Sequence, residues 1–302
     1  MTLTLHRTVA EFRGAAQAVR SSGKRLGLVP TMGALHAGHL SLVAEARTRA
    51  AEVALTIFVN PTQFGPNEDF TRYPRTLDRD LELCREAGVS HVFAPEASEM
   101  YPKGERTRVQ VSGLTVALCG PHRPGHFDGV TTIVSKLFAV AGECVAVFGR
   151  KDYQQLKVIE RMTRDLLLPV EIVGLRTLRD VDGLALSSRN AYLTPEERQR
   201  ALCIPRALSA AVTAFAAGER RGSVLRRLAL AELEAGGLRL DYATFADADE
   251  LAPLPEEGIS GERLLFAVAG FMGKTRLIDN VVLGEDPAPI ASPEKLGTGS
   301  AV

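Results

Sequence analysis

The chain has 302 residues, 45% hydrophobic and 24% charged, with 36 Lys and Arg balancing 36 Asp and Glu. That balance excludes a global electrostatic pull toward nucleic acid or an anionic membrane, and the length suits one large and one small domain. The opening MTLTLHRTVAEF lacks the long apolar run of a secretory leader. Apolar stretches such as residues 137–142 fall well short of the roughly 20 residues that a membrane span needs.

Thr8-Val9-Ala10-Glu11 has the form of a capping box and opens a helix carried by Phe12, Ala16 and Val19 and stopped near Gly23. Residues 26–29 read as a strand, followed by PTMGALHAGH and a helix to about residue 50. Residues 53–59 form a β-branched, buried strand that ends in a loop, NPTQFG. A helix over 76–87 closes at Gly88, and short strands follow at 91–94 and 109–111. A helix over 130–140 presents Ile133, Val134, Leu137 and Phe138 on one side. The strand 144–148 then turns through Gly149-Arg150-Lys151-Asp152 into a helix over 153–166, before a strand at 170–173. Alternating apolar strands and helices predict an α/β fold: a Rossmann-like parallel-sheet N-terminal domain over residues 1–177, with ligands beyond the carboxyl ends of the strands.

The texture then changes. A second capping box at Thr194 to Glu197, with Pro195 at the first helical position, starts an Ala- and Arg-rich helix to about residue 217, and another helix covers 221–235. Strands at 240–245, 263–268 and 275–282 complete a smaller α/β C-terminal domain over 178–284, expected to act as a lid. Residues 285–302, rich in Pro, Gly, Ala and Ser, are expected to be disordered. The four cysteines, at 84, 119, 144 and 203, show no metal-binding spacing and read as reduced thiols of a cytosolic protein.

Four clusters carry chemistry. His36 and His39 stand at i and i+3 on a helix start, where unpaired amides and the helix dipole favour an anion such as phosphate, and Gly33 and Gly38 permit close approach. Half of a metal site, or two idle surface histidines, are the competing readings. Lys151 and Asp152, with Gln155 one turn further on, suit phosphate and a ribose hydroxyl, or form an ordinary solvated turn. Ser187, Ser188 and Arg189 suit phosphate oxygens, and so does many a plain loop. Gln63 in NPTQFG and the RPGHFDG segment at 123–129 are polar loop elements able to hold a small ligand, or simple turn chemistry.

Together, PTMGALHAGH, FVNPTQFGPNEDF, YPRTLDRD, RPGHFDGV, GRKDYQQL and DGLALSSRNAYLT resemble, in order and over about residues 5–283, the pantoate–β-alanine ligase family of the HxGH nucleotidyltransferase superfamily. The resemblance implies a cytoplasmic homodimer of pantothenate and coenzyme A biosynthesis. It would use ATP and Mg²⁺ to join (R)-pantoate to β-alanine through a pantoyl-adenylate, with no nucleic-acid or membrane partner. It implies ATP on Met32, Gly33, Ala34, Leu35, His36, Ala37, Gly38 and His39, on Gly149, Arg150, Lys151 and Asp152, on Leu178, and on Leu186, Ser187, Ser188 and Arg189. His39 is implied as proton donor, with His36, Lys151 and Arg189 adding positive charge. Pantoate is implied on Gln63 and Gln155, with β-alanine also near Gln63.

Three positions depart from the family pattern. Arg150 stands where the family usually has Glu, which is tolerable if it faces solvent. Arg79 replaces an acid, leaving Asp80 alone as a metal candidate, and Leu186 replaces Met. A nucleotidyltransferase making a dinucleotide-like product, or a nucleotide-binding regulator without catalysis, are the alternatives.

Overall fold

The chain divides into two units, Met1–Leu178 and Arg179–Val302. The computed structural model describes residues 3–66, 68–254 and 263–290.

In the first unit the elements run β1 (Thr4–His6), α1 (Val9–Ser21), β2 (Leu26–Thr31), α2 (Ala37–Arg49), β3 (Glu52–Ile57) and α3 (Leu77–Glu86). They continue with β4 (His91–Phe93), α4 (Ala97–Met100), α5 (His126–Ala141), β5 (Cys144–Gly149), α6 (Tyr153–Asp165) and β6 (Val170–Leu175). The strands form one parallel sheet in the order β1-β4-β3-β2-β5-β6. Period-2 alternation decides its two faces. Leu26, Leu28, Ala54, Cys144, Ala146 and Phe148 pack with Phe12 of α1, Phe138 of α5 and Ile159 of α6. Val29, Val53, Leu55, Val145 and Val147 pack with Val43 and Ala46 of α2 and with Leu81 and Cys84 of α3. A strand buried on both faces needs the near-continuous apolar run that these strands have. From β2 the chain moves outward to β3 and β4, then crosses to β5 on the other side. The strand order therefore reverses between β2 and β5, where an open sheet parts its loops and leaves a crevice.

The predicted strand over 109–111 does not form. Val109 instead bonds to hydroxyls on α5: its amide donates to Thr132 Oγ1 (3.0 Å), and its carbonyl accepts from Thr131 Oγ1. The backbone thus finds side-chain partners in place of a neighbouring strand. In contrast, β1 has only three residues and left no periodic signal in the sequence, yet it pairs with β4 at the sheet edge.

The second unit holds α7 (Pro195–Ala201), α8 (Cys203–Ala216), α9 (Gly222–Ala235) and an antiparallel sheet, β7 (Arg239–Asp247), β8 (Leu264–Met272) and β9 (Thr275–Leu283). Leu208, Leu225, Phe245 and Phe266 lie in its core. The single helix expected over 194–217 is broken at Leu202. Pro205 explains the break: it has no amide hydrogen and its ring would clash with the Ala201 carbonyl, so it is tolerated only in the first turn of a new helix. Residues 285–290, the described part of the tail expected to be disordered, are tied down. The amides of Glu285 and Asp286 bond to Val282 O, and Ile290 N donates to Ser209 Oγ at 2.9 Å. Residues 291–302 lie outside the described residues.

All four cysteines are free and buried. Burial pushes the thiols of Cys84 and Cys144 up to about 12, and that of Cys203 up to about 11.

Candidate active site

The PTMGALHAGH segment leaves β2 through a tight turn. Thr31 Oγ1 donates to Thr56 O of β3 (2.7 Å) and accepts from Gly33 N (3.1 Å). Gly33 and Ala34 then both adopt left-handed backbone, at φ 79° and 51°. This conformation is natural for glycine and costly for alanine, and Asp80 holds it. The Asp80 carboxylate accepts from Ala34 N (3.0 Å) and Leu35 N (2.9 Å). The residue named as a metal candidate therefore has both oxygens engaged by backbone amides.

His36 is the N-cap of α2 and His39 its third residue. The two form a capping box from imidazoles: His36 Nδ1 accepts from Gly38 N (3.1 Å), and His39 Nδ1 accepts from His36 N (3.4 Å). The rings lie against each other, tilted by 36°, with centroids 4.1 Å apart. Backbone amides can only donate, so both Nδ1 atoms carry lone pairs and both protons sit on Nε2. Burial, with Lys151 nearby, pushes His36 down to about 4. Burial, then His36 and Lys151, pushes His39 down to about 3. The sequence expectation of open amides and cationic imidazoles at this helix start is corrected on both counts. The amides of His36 and Gly38 are capped by the histidines themselves, and near pH 7 the rings are neutral Nε2–H donors.

Across the switch point, β5 runs into a single turn of 3₁₀ helix, Arg150–Asp152, and then α6. Lys151 Nζ lies 4.0 Å from Asp152. Lys151 acts electrostatically on both His36 and His39, and Asp152 acts on His39 and His126. These two strand ends therefore share one electrostatic neighbourhood. Arg150 does not face open solvent. It is half-buried, with its guanidinium 5.6 Å from the Tyr153 ring centroid and its stem beside Gly174 of β6. Gln155 is half-buried, and its side chain makes no hydrogen bond among the described residues. Its neighbour Gln154, which sequence reading missed, is buried and fully used. It accepts from Cys119 N (2.9 Å) and donates to Leu114 O and Ala117 O (2.8 Å each), so it pins the 114–119 loop.

Gln63 ends a 3₁₀ turn, Pro61–Gln63, just beyond β3. Asn60, 1% exposed, organises this turn. Its Oδ1 accepts from Tyr101 OH (2.8 Å) and Thr62 Oγ1 (3.0 Å), which leaves Nδ2 to donate to Gln63 Oε1 (3.0 Å) and Gly129 O (3.1 Å). The Gln63 side-chain NH₂ makes no hydrogen bond among the described residues. The RPGHFDG segment, read as a ligand loop or as simple turn chemistry, is partly the first turn of α5 and braces the Gln63 turn. Arg123 forms a two-pronged pair with Glu68 (2.7 and 2.6 Å) and donates to His126 Nε2 (2.9 Å). His126 Nδ1 must then carry the proton, and it donates to Gln63 O at 2.9 Å. Burial, with Arg123 beside it, pushes His126 down to about 4. Gly129 admits the turn: a β-carbon there would lie 2.3 Å from Thr62 O.

In the second unit, Ser187 Oγ accepts from Arg189 N (3.3 Å) and caps a short 3₁₀ helix, Ser188–Tyr192. Leu186 follows a short hairpin bridged between Arg179 and Ala185 and held at its base. Arg179 pairs with the buried Asp279, while Arg198 grips Asp182 (2.7 Å) and Asp180 (2.8 Å). Leu178, implied as a nucleotide contact, is exposed at the end of the first unit. Among the described residues, no three His, Cys, Asp or Glu side chains gather as a metal cluster, and no helix is long and apolar enough to cross a membrane.

The first unit is thus a doubly wound α/β domain with its polar side chains gathered beyond the strand ends at a switch point. The chain belongs to the pantoate-beta-alanine ligase family, whose model matches residues 4–282. It is 56% identical to a pantothenate synthetase of Moorella thermoacetica, over 93% of this chain and 99% of that protein. It is 52% identical to one of Geobacter sulfurreducens, over 92% and 98%. A crystal structure of the pantothenate synthetase from Thermus thermophilus matches at TM-score 0.86 and 45% identity, covering 96% of this chain and 100% of that one. A pantoate-beta-alanine ligase from Francisella tularensis, complexed with beta-gamma ATP and beta-alanine, matches at TM-score 0.76 and 31% identity, over 93% and 98%.

Proposed function

We propose that the chain joins (R)-pantoate to β-alanine at the expense of ATP, giving pantothenate, AMP and diphosphate through a pantoyl-adenylate. The observation that carries this reading is the shared neighbourhood of His36, His39 and Lys151 at the switch point, in a family member matched over residues 4–282. ATP phosphates would meet residues 32–39 and 149–152, with Leu178 and 186–189 as the remaining nucleotide contacts. Pantoate would lie on Gln63 and Gln155.

In the first step the pantoate carboxylate attacks the α-phosphorus and diphosphate leaves. A carboxylate needs no general base; it needs alignment and relief from repulsion between anions. The Nε2–H groups of His36 and His39 donate to phosphate oxygens, and Lys151 and Arg189 supply the fixed positive charge. The Gln63 NH₂ can donate to the pantoate oxygens.

In the second step the β-alanine amine attacks the acyl carbon and AMP leaves. The amine must shed a proton, and neither histidine can take it, because both Nδ1 lone pairs are committed to amides. A water molecule or a phosphate oxygen serves instead. Mg²⁺ fits as an ion carried in by ATP, since such ions are usually held by substrate phosphates and one or two carboxylates. Asp152 is the carboxylate present at this strand end, and the ion would neutralise phosphate charge.

A cytoplasmic homodimer completes the proposal. The test is AMP release from ATP and pantoate, with and without β-alanine, together with detection of pantothenate. Turnover indifferent to β-alanine sinks the ligase reading.

A further inference from the structure

Asp80 is 1% exposed, yet it has no ion-pair partner among the described residues. A buried carboxylate without a countercharge is expensive and needs strong hydrogen bonds to persist. Its donors are the amides of Ala34 and Leu35 and, at 3.3 Å, Thr76 Oγ1. The two amides are consecutive, and they sit in a turn whose left-handed residues are Gly33 and Ala34. Alanine does not hold that conformation unaided. A β-carbon at Gly33 would also lie 3.1 Å from Asp80 Oδ2, so the carboxylate is packed directly against the turn. Two residues later the chain reaches the His36 cap, so this turn is the direct link between the end of β2 and the start of α2.

We infer that Asp80 is a positioning residue for nucleotide binding. Its carboxylate fixes the 33–35 turn, and through it the direction in which His36 and His39 present their Nε2–H donors. It also takes up two amides that could otherwise compete for phosphate, so recognition passes to the imidazoles. This rests on the reading that the turn meets ATP.

The test uses the full chain. In the wild-type protein, the amides of Ala34 and Leu35 should be strongly protected from hydrogen exchange; rapid exchange would overturn the inference whether or not any variant folds. Asp80→Asn keeps the shape but can offer only one acceptor oxygen. It should weaken ATP binding about tenfold or more, read by calorimetry and by KM for ATP, while KM for β-alanine stays within about twofold. A lowered melting temperature with unchanged ATP affinity would show a merely structural residue and overturn the inference. Failure of the ligase reading would appear separately, as wild-type protein that makes no pantothenate; the exchange and ATP-binding measurements remain readable in that case.

Discussion

Two pairs of histidines belong to the same sheet, one at its edge and one beyond its middle. His36 and His39 stand beyond the end of β2, with rings 4.1 Å apart. His6, which ends β1, and His91, which begins β4, stand at the sheet edge, with rings 5.3 Å apart. In the second pair, His91 Nε2 donates to Glu52 (3.1 Å), so its Nδ1 accepts from His6 Nε2 (3.1 Å), and Lys24 holds the other Glu52 oxygen at 2.9 Å. Both ring donors there point at protein acceptors, and the chain of bonds stitches β1 to β4 and β3. In the first pair the acceptors are used up and the Nε2–H donors remain. What separates a site from a staple is therefore which nitrogen is left over, since both pairs are close and both contain a ring whose basicity burial has lowered.

The sharpest way to break that contrast is His39→Ala. Loss of a donor aimed at developing phosphate charge should cut kcat for AMP formation about 100-fold or more. A twofold loss would make the crevice pair a second staple. Gly129→Ala comes next. The added methyl meets Thr62 O and must push α5 off the Gln63 turn. It should cost about 1–3 kcal/mol in urea unfolding and raise KM for pantoate several-fold while leaving KM for ATP unchanged.

Acid titration distinguishes the two pairs less directly. His36, His39 and His126 favour the neutral form in the folded state, so the unfolded chain binds their protons first. Stability should be full above the usual 6.5 and fall as the pH drops from there toward 3–4, where the folded rings titrate. The urea midpoint measured against pH reads this. In the same range kcat/KM should show no break near 6.5 from these rings. The smallest effect belongs to His6→Gln, which removes one staple bond. About 1 kcal/mol of stability should go, with ligase activity unchanged; a loss of activity would mean that the two pairs are not independent.

Much of the fold was legible because β2, β3 and β5 are buried on both faces and read as plain apolar runs between helices. The sequence also carried the His36/His39 spacing and its place after a strand. It did not carry the self-capping of those histidines, which depends on ring orientation and not on residue type. Nor could it show that Arg123 and His126 brace Gln63. Their partners, Glu68 and the Gln63 carbonyl, come from another segment, and a composition of Arg, Gly and His reads the same in a ligand loop as in a brace. Gln154 and Gln155 make the same point: adjacent identical side chains, one fully bonded and one without a partner among the described residues, separated only by which way each faces on α6. At 109–111 the valines suggested a strand, and two threonine hydroxyls on α5 supplied the bonds that a strand would have needed.

The buried, weakly acidic cysteines have a practical consequence. With Cys84, Cys144 and Cys203 held as thiols far above neutral pH, and Cys119 only 8% exposed, the native chain offers little thiolate to a maleimide or to an oxidant. A single cysteine introduced on the surface, at Val181 for example, would take up a fluorophore alone, with no native thiol removed beforehand.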